Sequence, residues 1–207
     1  SVATVSTSGK VTAKKAGTAI ITATANGKSA KCTVTVKSTA NNLYKELLSK
    51  SYIVLSDGKI IYPNYFTIAD IDKNGVKELL IRESDQPGGN FGSDVYIYTI
   101  ISGKVKYTGS ISNVGDAPRI SSDGGIYHTW FGAGCANFWL ASIKNGTLYN
   151  KVMLTRYMDA SVTTYYLNNT VISKSQYEKE LKKYEDSLKK EVAFQRNTAA
   201  NRKRMLG

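Results

Sequence analysis

The sequence predicts a mostly β chain with flanking helices, an α+β arrangement of two unequal parts. Three observations carry that expectation. Residues 1–37 alternate apolar and polar side chains with the period of two that marks half-buried strands. Between residues 65 and 173, runs rich in aromatic and β-branched residues follow one another through tight-turn dipeptides. Residues 175–188 switch to a one-sided helical pattern behind a capping signal.

The chain has 207 residues, 28 Lys+Arg against 16 Asp+Glu, and a formal charge of +12. That charge is divided. Residues 1–37 hold six lysines and no acid, residues 38–172 hold 12 basic and 11 acidic groups, and residues 173–207 hold 10 and 5. The shift near residue 38 marks a domain boundary, 1–37 against 38–207, with Ser38-Thr39-Ala40-Asn41-Asn42 as a short polar linker. No apolar run approaches the roughly 18 residues of a membrane helix. Strand-like residues start at position 1 without a basic and apolar leader, so any export signal is expected to have been removed. Two cysteines and one histidine make neither a disulfide scaffold nor a zinc spacing.

In the first part Val2, Thr4, Val11, Ala13, Ala19, Ile21, Ala23, Ala30, Cys32, Val34 and Val36 are expected on one face. Ser8-Gly9, Ala16-Gly17 and Asn26-Gly27 mark turns, the last with type I′ hairpin chemistry. Lys on the opposite face discourages edge pairing. The stretch Ser1-Val-Ala-Thr-Val5, Gly9-Lys-Val-Thr-Ala13, Gly17-Thr-Ala-Ile-Ile-Thr-Ala-Thr-Ala25 and Cys32-Thr-Val-Thr-Val36 resembles the C-terminal half of a bacterial Ig-like domain, group 2. The resemblance implies a partial β-sandwich from a secreted or surface protein, adhesins included. Its first strands are absent, so the exposed face is expected to pack on the next domain, pair with a second copy in a dimer, or belong to a longer chain. Cys32 reads as a small buried hydrophobe, and a bridge to Cys135 stays open.

In the second part Asn42 is placed to cap a short helix carrying Leu43, Leu47 and Leu48. Strands are expected at 65–69, 76–82, 94–101, 104–109, 125–131, 137–143, 147–154, 162–167 and 170–173. Ser102-Gly103, Asn145-Gly146 and Asn168-Asn169 join them as antiparallel hairpins, a β-meander. Ser175-Gln-Tyr-Glu178 is a capping box, and Tyr177, Leu181, Tyr184 and Leu188 form the apolar stripe of the helix that follows. Glu178–Lys182 and Glu185–Lys189 are the expected pairs on its polar face, and Asn197 is placed to cap a last short helix.

The most specific motif is Asp70-Ile-Asp72-Lys-Asn74-Gly75-Val76-Lys77-Glu78-Leu79. Side-chain oxygens recur at loop positions one, three, five and nine, Gly stands at six, and a backbone carbonyl is expected from Val76 at seven. Ca²⁺ takes about six to eight hard oxygens, and a flexible Gly lets a short loop wrap it. Position twelve is Ile81, so an EF-hand with its bidentate Glu there is not expected. Strand-like flanks make the pattern similar to the FG-GAP/VCBS-type calcium loops of propeller blades. That resemblance implies Ca²⁺ held by Asp70, Asp72, Asn74, the Val76 carbonyl and Glu78. It covers about one hairpin, and a complete propeller of roughly four to eight blades does not fit this length. Two other readings stand: an Asx-rich turn that satisfies its own backbone without metal, and a Glu78 that points to solvent.

Other chemistry is sparser. His128 with Cys135 is a candidate thiol–imidazole pair without the local signature of a cysteine protease, and no Gly-x-Ser-x-Gly elbow exists. Paired carboxylates of a glycoside hydrolase are a matter of three-dimensional separation. Gly88-Gly89-Asn90-Phe91-Gly92 lacks the Lys-Ser/Thr of a phosphate loop. Tyr127, Trp130 and Trp139 frame small residues and are candidate ligand-stacking aromatics, with Tyr127 and Trp130 expected on opposite faces. No nucleic-acid motif accompanies the basic ends, so the expected partner is an anionic cell-wall or host polymer, with carbohydrate or protein as further classes. The expected role is non-enzymatic: a secreted or surface binding and adhesion protein of a Gram-positive-type bacterium with a calcium-stabilised β-domain. A secreted hydrolase acting on polysaccharide or peptide, and a structural spacer, are the alternatives.

Overall fold

A computed structural model describes residues 1–14, 17–36, 39–84, 94–112 and 118–207; the Gly-rich segment 88–92 lies outside them. Residues 1–36 form two antiparallel hairpins, β1 (Ala3–Val5) with β2 (Val11–Ala13) and β3 (Gly17–Ala25) with β4 (Lys28–Val36). The register sets Ala19, Ile21 and Ala23 across from Val34, Cys32 and Ala30, so these side chains share one face as the alternation requires. Asn26 and Gly27 close the hairpin with φ of 50° and 72°. No described side chain of this segment is buried, and Ile21, Val34 and Val36 are half-covered. Cys32 is therefore exposed rather than buried, and both it and Cys135 are free thiols.

Antiparallel hairpins dominate the rest. Helix α1 (Thr39–Leu48) leads into a small hairpin, β5 (Ile53–Val54) and β6 (Ile60–Ile61). The first large sheet uses β7 (Tyr65–Ala69), β8 (Glu78–Arg82), β9 (Val95–Ile101) and β10 (Lys104–Ile111). The second uses β11 (Arg119–Ser121), β12 (Ile126–Gly132), β13 (Cys135–Lys144), β14 (Thr147–Asp159), β15 (Val162–Leu167) and β16 (Thr170–Ile172). Helix α2 (Lys174–Ser187), β17 (Leu188–Glu191), β18 (Gln195–Arg196) and α3 (Ala199–Leu206) complete the chain. Both sheets are meanders, in the orders β10-β9-β8-β7-β18 and β16-β15-β14-β13-β12-β11-β17. The tail thus adds one edge strand to each sheet.

Alternation explains how the layers stack. In β8 and β9, Leu79, Ile81, Tyr96 and Tyr98 face α1, β5, β6 and α3 in one core. Leu80, Val95 and Ile97 face the opposite way and meet Ile126, Ala141 and Ile143 of the second sheet in another. The far side of the second sheet packs Tyr127, Leu140, Val152 and Leu154 on Tyr177 of α2. Covered on both faces, β8 reads as a continuous apolar run interrupted only at its ends.

Several boundaries differ from expectation for local reasons. The anticipated linker is largely helix: α1 begins at Thr39, and Ala40 is buried in the core. The capping box of α2 sits two residues earlier, where the Gln176 N–H donates to Ser173 Oγ and the Ser173 N–H donates to Gln176 Oε1. Among the described residues its ion pairs are Lys174–Glu178, Lys182–Asp186 and Lys183–Glu180 in place of Glu178–Lys182, and the side chain of Lys189 in the expected Glu185–Lys189 pair lies outside them. The helix ends at Ser187, and Leu188 opens a strand that pairs with β11. Thr198, not Asn197, caps α3 by accepting the Asn201 N–H.

Asn197 has a different task. Its Nδ2 donates to the Leu48 carbonyl at 2.8 Å and to the Pro63 carbonyl at 2.6 Å, and its Oδ1 accepts from Arg202 at 2.8 Å. One amide so joins the end of α1, the entry to β7 and α3. Asn197→Ala strands the Pro63 carbonyl and leaves the Leu48 carbonyl only Arg202 Nη1 at 3.5 Å, and equilibrium urea unfolding is expected to show a loss of roughly 1–3 kcal/mol with an unchanged m-value.

Candidate metal centre

The β7–β8 hairpin carries the loop 70–77, and its strands pair from Tyr65↔Arg82 to Ala69↔Glu78. This register brings Asp70 and Glu78 together at the mouth of the loop. Gly75, with φ of 88°, makes the sharp turn that a residue with a Cβ resists. The loop is organised by its own side chains. Asp70 Oδ2 accepts the Gly75 N–H at 3.1 Å, Asp72 Oδ1 accepts the Asn74 N–H at 3.1 Å, and Asn74 Oδ1 accepts the Val76 N–H at 2.6 Å. Asn74 Nδ2 also donates to Asp72 Oδ2 at 2.9 Å. The Asx-turn bonding anticipated for a metal-free loop is therefore present, and it leaves oxygen lone pairs free for a cation.

Asp70, Asp72 and Glu78 each offer an oxygen within 4.8 Å of the others, a cluster that could hold a metal ion. Asp70 Oδ1 is shielded from solvent and has no hydrogen-bond partner. A lone carboxylate oxygen left so is costly, and a bound cation removes that cost. Glu78 is wholly buried, which overturns the solvent-facing alternative. Its Oε2 accepts the Ile71 N–H at 2.8 Å and its Oε1 accepts from the Thr99 hydroxyl at 3.0 Å. Desolvation lifts the Glu78 pKa from 4.5 to about 7; the Ile71 N–H opposes the rise, the Asp72 charge adds to it, Thr99 opposes it and Asp70 adds to it.

Two supporting groups come from distant parts of the chain. Thr99 sits across from Glu78 because β8 and β9 pair as Leu79↔Tyr98. Tyr44 of α1 donates its hydroxyl to the Lys77 carbonyl at 3.0 Å, and burial raises its pKa. The second sheet also touches the loop, where the Gly125 N–H donates to the Ile71 carbonyl at 2.6 Å. A Cβ at Gly124 would stand 3.2 Å from that same carbonyl oxygen, so the close approach depends on glycine.

Neither a family model, nor a curated protein, nor a solved structure matches this chain. The site must be read from its own atoms.

The structure does not bring the other candidates together. Tyr127 is buried on the α2 side of the second sheet, against Phe138 at 6.2 Å between ring centroids. Trp130 and Trp139 lie on the opposite face, because the register pairs His128 with Trp139 and Trp130 with Asn137. Trp139 stacks obliquely on His128 at 4.9 Å. Cys135 pairs with Gly132, four rungs from His128 and roughly 13 Å along the strand, so no thiol–imidazole contact exists. Glu83 and Asp94 both approach the Tyr96 hydroxyl at 3.4 Å. Each is already engaged, Glu83 by the Tyr62 N–H and Asp94 by Lys59 and Ser112. The 540 Å³ cavity that Glu83 borders, with Lys50 and Arg196, has no second acid among its described lining residues.

Proposed function

We propose that this chain is a non-enzymatic binding protein of the secreted or cell-surface kind, whose β-domain is stabilised by Ca²⁺ in the 70–78 loop. The observation that carries the metal is the unpartnered, shielded Asp70 Oδ1 beside Asp72 and Glu78. Carboxylate and amide oxygens are hard donors, which favours Ca²⁺ over a thiophilic or imidazole-seeking metal. Asp70, Asp72 and Glu78, with Asn74 Oδ1 and the Val76 carbonyl, would supply the ligands in the manner of an FG-GAP-like loop. The ion's part would be to neutralise three acids gathered around the buried Glu78. The chain's own part is to hold that loop against the second sheet through Gly125.

Charge supports a polyanionic partner. Six lysines and no acid precede residue 38, and of the described ones Lys28 and Lys31 stand on β4 while Lys10 and Lys14 flank β2. Adhesion to a wall or host polymer through such a surface is electrostatic, and its strength falls as salt screens it. Co-sedimentation with an insoluble anionic wall polymer is expected to show binding at low ionic strength and its loss near 0.5 M salt, about a 4 Å screening length. Replacing Lys10, Lys14, Lys28 and Lys31 by Glu is expected to abolish it. Absence of binding at low ionic strength contradicts this reading and favours a spacer.

A further inference from the structure

One face of the second sheet packs on α2. The other meets the first sheet at Ile126, Ala141 and Ile143, near the start of β12 and the end of β13. Next along that face His128 is 6% exposed, and desolvation pulls its pKa down from 6.5 to about 4. Trp139 stacks on it. Beyond this pair the face continues toward the β12–β13 and β14–β15 turns, and the strand register lays it out in rungs. Trp130, Asn137, Thr155, Tyr166 and Val171 stand side by side in one rung. Gly132, Cys135, Tyr157 and Thr164 form the next, two residues further along and so on the same face.

These side chains have surface that a ligand can reach. Trp130, Asn137, Thr155 and Tyr166 are half-buried, and Tyr157 is 44% exposed. Among the described residues, Trp130, Tyr157 and Tyr166 join none of the three cores. Aromatic rings normally carry core energetics, and three left open together on one sheet are the kind of patch that marks an interaction surface. The patch is also held in shape. A Cβ at Gly132 would stand 3.1 Å from Trp130 Cζ2 and Cη2, so the indole lies along β12 over the glycine, where a side chain would displace it. The Met158 N–H donates to the Gly134 carbonyl at 2.7 Å and ties the β12–β13 turn to β14. The Thr155 hydroxyl donates to Asn137 Oδ1 at 2.8 Å, which fixes the amide and leaves its Nδ2 to donate.

Across the strands the order is ring, amide, hydroxyl, ring. Three strand spacings, about 14 Å, separate the backbones of Trp130 and Tyr166, more than one sugar ring spans. A carbohydrate chain matches that order, with C–H faces for the rings and hydroxyls that donate and accept for Asn137 and Thr155. The other classes match it less well. Neither rung carries a charged side chain, and the rung at the tip, Asp159 with Val162, adds an acid. Phosphate or uronate chains would find no cation there to offset their desolvation. A wholly apolar partner would leave Asn137 Nδ2 unpaired.

We propose that this face binds a neutral polysaccharide chain, its sugar rings stacking on Trp130 and Tyr166 with Tyr157 beside them, and its hydroxyls bonding Asn137 and Thr155. The inference rests on the binding-protein reading and adds a second polymer class to it, independent of calcium and of the lysine surface.

The chain has two tryptophans, so two indole N–H resonances report on the face. Uniformly ¹⁵N-labelled full chain is titrated in 0.5 M salt, where charge-driven binding is screened, with cellotetraose, xylotetraose, mannotetraose and N-acetylchitotetraose, each to about 5 mM, several times a 1 mM Kd. At least one is expected to shift the Trp130 indole N–H saturably, and its monosaccharide is expected to bind at least tenfold more weakly. Trp130→Ala is expected to weaken tetraose binding at least tenfold, read from the Asn137 and Thr155 amides. Tyr157→Ala, at an exposed position, is expected to weaken it several-fold and keeps the test valid if the first variant fails to fold. The proposal is overturned if no tetraose moves the Trp130 indole, or if binding persists undiminished in Tyr157→Ala. It is overturned equally if self-association that Trp130→Ala abolishes shows the face to be occupied by a second copy of the chain. Absence of tetraose binding with retained low-salt co-sedimentation removes this inference alone, and the reverse pattern removes the lysine surface alone.

Discussion

Saturating Ca²⁺ is expected to raise the unfolding free energy of the metal-free protein by about 2.7 kcal/mol at one hundred times Kd, and by about 4 kcal/mol at one thousand times. The unfolded chain does not hold Asp70, Asp72 and Glu78 within 4.8 Å of one another, so an ion held by them would bind the folded state selectively. Asp70→Asn should abolish the gain. Without metal the same substitution is expected to be neutral or slightly stabilising. It removes a charge that pushes up the Glu78 pKa and relieves like-charge repulsion beside the buried Glu78. A crossover therefore separates the ligand role from a packing role: the variant equals or exceeds wild type in chelator and falls below it in Ca²⁺. Paired urea titrations of wild type and Asp70→Asn, each with chelator and with Ca²⁺, measure all four values. Equal stability of wild type in both conditions would remove the metal from the account.

The second large effect is a pair of opposed pH dependences in the metal-free protein. Glu78 has a folded pKa of about 7 against 4.5 in an unfolded chain. Between those values the folded state holds the extra proton, so stability is fully present below 4.5 and is lost as pH rises through about 7. His128 has a folded pKa of about 4 against 6.5. There the unfolded state holds the extra proton, so stability is present above 6.5 and is lost as pH falls through about 4. Each interval corresponds to roughly 3 kcal/mol at 1.36 per pH unit. The two nearly cancel, and wild-type stability in chelator should be almost flat from pH 4.5 to 6.5. Glu78→Gln exposes the histidine slope, with stability rising as pH rises. His128→Asn exposes the glutamate slope, with stability falling. Parallel slopes in the two variants would contradict the assignment. Ca²⁺ bound by Glu78 would compete with its proton, so its affinity should strengthen as pH climbs toward 7.

The parts of the fold legible in the sequence were those specified by neighbours. Strands 65–69 and 162–167 have the bounds expected of them, because alternation and turn chemistry lie within a few residues. Asn145-Gly146 and Ser102-Gly103 turn their hairpins with both φ positive. The elements missed are β5, β6, β11, β17 and β18, each four residues or shorter and three of them defined by partners far along the chain. A dipeptide such as Gln195-Arg196 becomes a strand only because Phe66 and Tyr65 stand beside it. Leu188 fits the helical stripe of Tyr177, Leu181 and Tyr184, yet pairing with Ser121 draws it into a sheet. Tertiary contact there outweighs local periodicity.

The same division runs through the candidate metal centre. Asp70, Asp72, Asn74, Gly75 and Glu78 announce themselves by spacing. Thr99 and Tyr44, which hold Glu78 and Lys77, carry no local signal, and only the β8–β9 register makes Thr99 predictable. The orphaned Asp70 Oδ1 is a property of the folded loop alone. The sequence offers Cys135 as a partner for His128, whereas the strand register gives it Trp139.

Isothermal titration of chelator-treated protein with Ca²⁺ at pH 7.5 decides whether the 70–78 loop is a calcium site. One ion per chain is expected, with proton release that grows as the buffer is moved below pH 7 and no heat of binding in Asp70→Asn. A titration of folded wild-type protein without binding heat in buffers of different ionisation enthalpy, and without any change in its urea midpoint, would contradict it.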